Sequence, residues 1–143
     1  MRKKFSAIII AAILIANLFV LPVAAETGIL NGDEIIISPM YTYISTGKAT
    51  LSINSSGKAT VETDVTGNSS VTSIKATINL QQYKNGSWAT IKTWNESSSS
   101  RILSFSNTYS VSSGYEYRVS STVTAYSGQN SETVTYISAT KSY

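Results

Sequence analysis

Alternation of apolar and polar residues at every second position is the feature that most restricts what this chain can fold into. In the segment SIKATINLQQY, the residues Ile74, Ala76, Ile78 and Leu80 fall on one side and polar residues fall on the other. A side-chain period of two is that of a half-buried β-strand. No segment after residue 25 has the apolar period of a helix. The pattern therefore predicts an all-β protein.

Turn signals recur about every ten residues and divide the chain into short strands. The strand segments are rich in Ser, Thr, Val, Ile and Tyr, residue types that suit a pleated and half-buried surface. Many short strands without intervening helices favour a sandwich of two sheets. We predict a seven-stranded antiparallel β-sandwich, with strands at 43–53, 59–65, 71–83, 87–94, 102–111, 115–126 and 132–140.

The first 25 residues have the three-part layout of a secretory signal peptide. Arg2, Lys3 and Lys4 form a basic start, an apolar run covers residues 7–20, and the small residues at 23–25 suit a signal peptidase. The alternative is a membrane anchor, but the run is near the lower length limit for spanning a bilayer. We expect cleavage after about Ala25, which leaves a secreted, extracellular chain with an N-terminal arm at 26–42 and one domain at 43–143.

The composition of the mature chain excludes several kinds of partner. The whole chain carries 11 Lys and Arg against 8 Asp and Glu, and the predicted signal peptide holds three of the basic residues. The mature chain is then neutral, without the clustered basic residues that nucleic acid binding requires. No long apolar segment remains that would span a membrane. The chain has no cysteine, so packing and hydrogen bonds rather than disulfides must hold the fold.

Residues that carry catalysis or bind metals are scarce. The chain contains no histidine, which excludes a Ser-His-Asp nucleophile and a zinc site built on histidine. Glu62 and Asp64 share one face of the second predicted strand, as solvated charges or, alternatively, as a weak Ca²⁺ site. We expect no enzyme activity, no cofactor and no metal.

The segment LQQYKNGSWATIKTW contains both tryptophans of the chain around an Asn-Gly pair. Asn-Gly is the strongest short-range hairpin signal, since both central positions of a type I′ turn need a positive φ. A two-residue turn places Tyr83 opposite Trp88 and Thr77 opposite Trp94. The core side then carries Ala76, Ile78, Leu80, Ala89 and Ile91.

This register predicts one candidate site on the outer face of the hairpin, formed by Tyr83, Trp88, Lys92 and Trp94. Exposed aromatic rings among Thr, Asn and Gln are typical of a sugar-binding face, because a pyranose ring stacks on an indole and polar neighbours bind its hydroxyls. The alternative is structural, because aromatic pairs across a hairpin also stabilise it or are covered by the N-terminal arm. A one-residue bulge would exchange the two faces.

The segment VSSGYEYRVSSTVTAYSGQNSE resembles the end of a fibronectin type III or related immunoglobulin-like sandwich. The matching positions are Val111, Gly114, Tyr117, Val119, Ala125 and Gly128. The resemblance implies that the Tyr117 hydroxyl bonds to upstream backbone as a tyrosine corner, with Tyr115 as the competing position. The alternating pattern also places Arg118 on the outer face, where its guanidinium would stack on an aromatic ring or pair with Glu116 or Glu132.

The chain from about residue 43 to residue 143 is also similar to a group of small secreted proteins of Gram-positive bacteria. The shared motifs are the GKAT strand, the LQxYxNGxWxTIKTW hairpin, the GYxYRV strand and the YSGxxSET turn. This resemblance implies one secreted β-sandwich domain in each chain and implies no reaction.

Three functions are compatible with these observations. The leading hypothesis is a non-enzymatic interaction module that binds an extracellular protein or glycan, with a carbohydrate-binding module as its glycan version. The second is a bacteriocin-like antibacterial protein, against which the neutral mature charge argues. The third is a structural subunit that polymerises through exposed sheet edges.

Overall fold

The computed structural model describes residues 41–143, which form two antiparallel sheets. The strands are β1 (Ile44–Ile53), β2 (Lys58–Gly67), β3 (Ser73–Lys84), β4 (Ser87–Ser98), β5 (Ile102–Ser110), β6 (Glu116–Ser127), β7 (Asn130–Ile137) and β8 (Lys141–Ser142). The first sheet has the order β1-β2-β5. The second has the order β4-β3-β6-β7, and β8 also pairs with β6. The predicted signal peptide, and the predicted arm up to residue 40, lie outside the described residues.

The all-β prediction is confirmed, while the predicted number of strands was wrong, because the described residues form eight. The predicted last strand breaks after Ile137, where the Ser138 amide donates to the Val119 carbonyl at 2.9 Å and the Ser138 hydroxyl accepts from the Val119 amide at 2.8 Å. The chain then resumes pairing with β6 as β8. A serine hydroxyl thus interrupts the ladder at a position where the alternation of residue types predicts continuous strand. No helix long and apolar enough to cross a membrane occurs among these residues.

The facing sides of the two sheets form one buried cluster, as expected of a β-sandwich. The inward positions of β3 are the four apolar residues of the alternating segment, Ile74, Ala76, Ile78 and Leu80. The other members are Ile44, Leu51, Ala59, Val61, Val65, Val71, Leu103, Phe105, Tyr117, Val119, Val123, Ala125 and Val134.

One polar contact crosses the middle of this core. Thr63 of β2 and Ser121 of β6 are both fully buried, and their hydroxyl oxygens lie 2.6 Å apart. Each hydroxyl satisfies the other, so neither bears the cost of an unpaired buried polar group. The bond joins the two sheets at one register, since it forms only when these two positions face each other.

The two lateral openings of the sandwich are closed by aromatic side chains. Trp94 of β4 fills the opening toward β5, where its ring centroid lies 5.8 Å from that of Phe105. On the other side, the Tyr136 ring of β7 lies directly over Gly47 of β1, where a Cβ atom would overlap the ring. Glycine is required at position 47 because the aromatic ring occupies the place of a side chain.

Glu132 of β7 anchors the beginning of β1. Its carboxylate accepts hydrogen bonds from the backbone amides of Thr42, Tyr43 and Ile44 at 2.8, 2.9 and 2.9 Å. Burial alone raises the pKa of Glu132, but the three backbone hydrogen bonds outweigh it and hold the pKa below its usual value of 4.5. The carboxylate therefore bonds the chain best in its ionised form.

We expect acid to weaken the hydrogen bonds between the Glu132 carboxylate and the backbone at the beginning of β1. Because the pKa of Glu132 is lower in the folded state than in the unfolded state, its stabilisation is complete above about pH 4.5 and disappears as the pH falls through the folded-state pKa. We compare the free energy of unfolding by urea at pH 6 with that at pH 3. The decrease between the two pH values should be smaller for Glu132→Gln than for the wild type. Glu96→Gln, at an exposed carboxylate of β4, is the matched control. An equal loss in wild type and Glu132→Gln would contradict the assignment.

Candidate functional site

The turn of the hairpin has the geometry that Asn-Gly predicts. Asn85 and Gly86 both have positive φ, at 54° and 79°. Lys84 pairs with Ser87 and Tyr83 pairs with Trp88, as the two-residue turn requires. The first half of the predicted register is therefore confirmed.

The second half of the predicted register was wrong, because β4 contains a bulge at Ile91. Gln81 pairs with Thr90, but Leu80 pairs with Lys92, so Ile91 has no opposite residue. Beyond the bulge every pair is shifted by one residue, and Trp94 lies opposite Ile78 instead of Thr77. A shift of one residue moves each side chain to the other face of the sheet.

The four residues of the predicted site therefore do not share a face. Trp94 lies on the core side, where its ring also meets Tyr109 edge-on at a centroid distance of 6.5 Å. Lys92 lies on the same side of β4 as Trp94, and its Nζ atom lies 5.8 Å from the centre of the Trp94 ring. Tyr83 and Trp88 stay on the outer face. The predicted site separates into one pair at the lateral opening and one pair on the outer face.

Tyr83 and Trp88 form a surface cluster with Gln81 of β3 and Arg118 of β6, and we call these four residues the aromatic corner. The ring centroids of Tyr83 and Trp88 are 5.2 Å apart, and the Arg118 guanidinium carbon lies 4.3 Å from the centre of the Trp88 ring. The Arg118 Nε donates to the Gln81 side-chain oxygen at 2.8 Å. Tyr83 remains 40% exposed. The cluster is thus ordered by a cation–π contact and a hydrogen bond before any ligand binds.

The aromatic corner adjoins a row of hydroxyl and amide side chains on the same outer face, which we call the polar face. Cross-strand hydrogen bonds organise it, with Thr93 donating to Asn79 at 2.7 Å and Thr77 to Asn95 at 3.0 Å. Two threonine pairs continue it across β6 and β7, with hydroxyl oxygens 3.1 and 2.9 Å apart. The residues of the polar face are Thr77, Asn79, Thr93, Asn95, Thr122, Thr124, Thr133 and Thr135.

A shallow depression of about 380 Å³ lies on this face, over β3 and its two neighbouring strands. It is lined by Lys75, Ala76, Thr77, Asn95, Glu96, Ser97, Thr122 and Thr124. Its threonines and asparagine both donate and accept hydrogen bonds. The outer face of the five-stranded sheet thus presents a stacking surface beside a set of two-way hydrogen-bonding groups.

Sequence reasoning missed the part of the site that β6 supplies. It expected Arg118 to point outward and to contact an aromatic ring or a carboxylate, but could not name Trp88 as its partner. The contact depends on the pairing of β3 with β6, which places Gln81 beside Arg118. These segments are far apart in the chain, and no turn signal fixes their register.

Tyr117 lies on the opposite side of β6 from Arg118 and is fully buried. Its hydroxyl donates to the Ser112 carbonyl at 2.6 Å and accepts from the Gln82 side chain at 3.0 Å. Tyr117 therefore connects the segment before β6 to the core and does not contribute to the outer face.

Glu62 and Asp64 lie on the outer face of the other sheet and already have protein partners. Asp64 accepts from the Ser104 hydroxyl at 2.6 Å and lies 3.5 Å from the Lys48 Nζ. Glu62 accepts from the Thr50 hydroxyl at 3.0 Å. Among residues 41–143, no cluster of three or more acidic side chains is arranged to hold a metal ion.

Comparison with known protein families, with curated proteins and with solved structures finds no match to this chain. The family resemblances in the sequence therefore stay predictions.

Proposed function

We propose that this protein is a secreted, non-enzymatic glycan-binding module of the immunoglobulin or fibronectin type III kind. Its binding surface is the outer face of the five-stranded sheet, with the aromatic corner as the main contact. This is the glycan version of the predicted interaction module. Its binding residues are Tyr83, Trp88, Gln81 and Arg118, so that Gln81 and Arg118 replace the predicted Lys92 and Trp94.

Three observations support the fold type. The first, second and fifth strands share one sheet while the third, sixth and seventh share the other, as do strands A, B and E and strands C, F and G of immunoglobulin domains. β4 extends the second sheet beside β3, in the manner of the added strand of variable-type domains. The hydrogen bond from Tyr117 to the upstream carbonyl of Ser112 has the form of a tyrosine corner.

The observation that carries the binding proposal is the position of the Tyr83–Trp88 pair at one end of the polar face. An aromatic ring offers an apolar surface to the C–H face of a sugar, and hydroxyls and amides beside it bind the sugar's own hydroxyls. Arg118 and Gln81 fix the Trp88 ring, so little side-chain entropy remains to be lost on binding.

A glycan fits this face better than a protein does. The centre of a protein interface is rich in apolar and aromatic side chains. Here the outward residues next to the aromatic corner are polar, with Asn79, Thr90 and Ser120 on its inner side and Glu116 opposite Tyr83. The exposed large apolar side chains of the described residues do not form one patch, since they are Tyr41, Tyr83, Ile102, Tyr109 and Ile137, spread over several elements.

Retention of the full chain on insoluble cellulose, chitin, xylan and peptidoglycan tests the proposal. We expect retention on at least one of them, with release by the soluble form of the same glycan. Trp88→Ala should weaken this binding at least 30-fold, which is the effect of removing a residue worth about 2 kcal/mol at the centre of an interface.

Tyr109→Ala is the control for the loss of an exposed ring. Tyr109 is 36% exposed, close to the 40% of Tyr83, but lies at the lateral opening near Trp94. Its replacement should leave retention unchanged. Failure of the wild-type chain to bind any of the glycans, or equal binding by Trp88→Ala, would refute the proposal.

A further inference from the structure

We infer that the ligand is a linear, uncharged polysaccharide that lies along β3 and is bound at internal sugar units, with the polar face as a second set of subsites. This inference rests on the proposed function and adds the class of glycan and the residues that select it. The residues assigned to the additional subsites are Thr77, Asn95, Thr122 and Thr124.

The length of the face is the first argument. The aromatic corner contains Tyr83 at one end of β3, and the depression includes Lys75 near the other end. These positions are eight residue steps apart along extended strand, and a strand rises by about 3.3 Å per residue, which gives roughly 26 Å. A single sugar covers only a small part of that distance. The hydrogen-bonding groups beyond the corner therefore match further sugars of the same chain.

The charge distribution is the second argument. Between the two ends, the outward side chains of β3 and its neighbours are threonines, asparagines, a glutamine and serines, all uncharged. The depression is also lined by the Glu96 carboxylate, which would repel an acidic polymer. The two outward cations of these strands sit at the ends and are each placed against a ring. Arg118 lies over Trp88, and the Lys75 Nζ lies 5.7 Å from the centre of the Tyr126 ring. An acidic polymer would meet no cation along the middle of the face.

The shape of the face is the third argument. A pocket that binds the end of a glycan must enclose the terminal sugar, whereas this depression is shallow and lies on an open sheet. Tyr126 of β6, opposite Ser73, faces outward beyond the depression and places a further ring at that end of the face. Rings at both ends of the polar face suit a polymer whose chain continues beyond the face on both sides.

The experiment compares oligosaccharides of increasing length, from the disaccharide upward, taken from the neutral polysaccharide that the full chain retains. We expect the wild-type affinity to rise with length until the ligand spans the face. Thr77→Val with Thr122→Val removes two hydroxyls without changing side-chain shape. This double variant should lose about tenfold in affinity for the longest ligand, as expected for two hydrogen bonds, and bind the disaccharide as the wild type does.

Thr108→Val is the matched control, because Thr108 faces outward from β5 on the other sheet. It should bind every length as the wild type does. Affinity independent of length, an unchanged double variant, or tighter binding of a polyuronate than of the neutral polymer would each overturn the inference. All three results leave a Trp88-dependent glycan site intact. If no glycan binds at all, the proposed function fails together with the inference.

Discussion

Replacing Gly47 with alanine is expected to destabilise the domain by about 2–3 kcal/mol, at the upper end of the cost of overpacking. The new Cβ atom would overlap the Tyr136 ring, so either the ring or β1 must move. The ring is packed against the core, and its displacement would expose that side of the sandwich. For a domain of this size the loss corresponds to a decrease in melting temperature of roughly 10–20 °C, measurable by calorimetry or thermal circular dichroism.

A double-mutant cycle separates this steric cause from other effects of the substitution. In a Tyr136→Ala background the space over position 47 is empty, so Gly47→Ala should cost little or even stabilise the strand. The same cost of Gly47→Ala in both backgrounds would show that the ring is not the cause.

The Tyr136 hydroxyl is buried without a hydrogen-bond partner among the described residues. Burial, with smaller contributions from Tyr41 and Glu132, raises the pKa of Tyr136 to about 12.

The two tryptophans of β4 are expected to have opposite roles. Trp94→Ala should destabilise the domain by about 2–3 kcal/mol, somewhat less than the loss of a fully buried tryptophan, because Trp94 is only partly buried against the core. Trp88→Ala should cost below about 1 kcal/mol, the worth of a cross-strand aromatic pair. Urea unfolding of the two variants measures both values.

This contrast follows from the bulge at Ile91. Without the bulge, both rings would lie on the outer face and both substitutions would have small effects on stability. Similar stabilities of the two variants would therefore contradict the shifted register. A Trp94→Phe variant should recover most of the loss, because a phenylalanine ring still packs against Phe105.

The strands and the hairpin turn were predictable from the sequence because their signals are local. Alternation along β3 assigned Ile78 and Leu80 to the core, and Asn85-Gly86 placed Tyr83 opposite Trp88. The position of Trp94 was not predictable in the same way. Counting residues from the turn gives the right pairs only while the ladder is regular, and nothing in the sequence around Ile91 marks the bulge.

The other half of the aromatic corner depends on contacts that join distant parts of the chain. Arg118 reaches Trp88 because β6 pairs with β3, and this register is set by packing of the core residues of both strands. Tyr136 covers Gly47 for a similar reason, since β7 and β1 belong to different sheets. Such contacts depend on how the whole sandwich is assembled. The sequence of each segment therefore indicates the residue types of the site, but not which of these residues lie together.

The most direct test of glycan binding on the outer face uses the fluorescence of each tryptophan separately. Trp94→Phe leaves Trp88 as the only tryptophan, and Trp88→Phe leaves Trp94. Titration with the soluble form of the retained glycan should change the emission of the Trp94→Phe protein saturably, while the Trp88→Phe protein should show no change. A saturable change only in the protein that keeps Trp94, or no change in either protein across the glycan panel, would contradict the outer-face site.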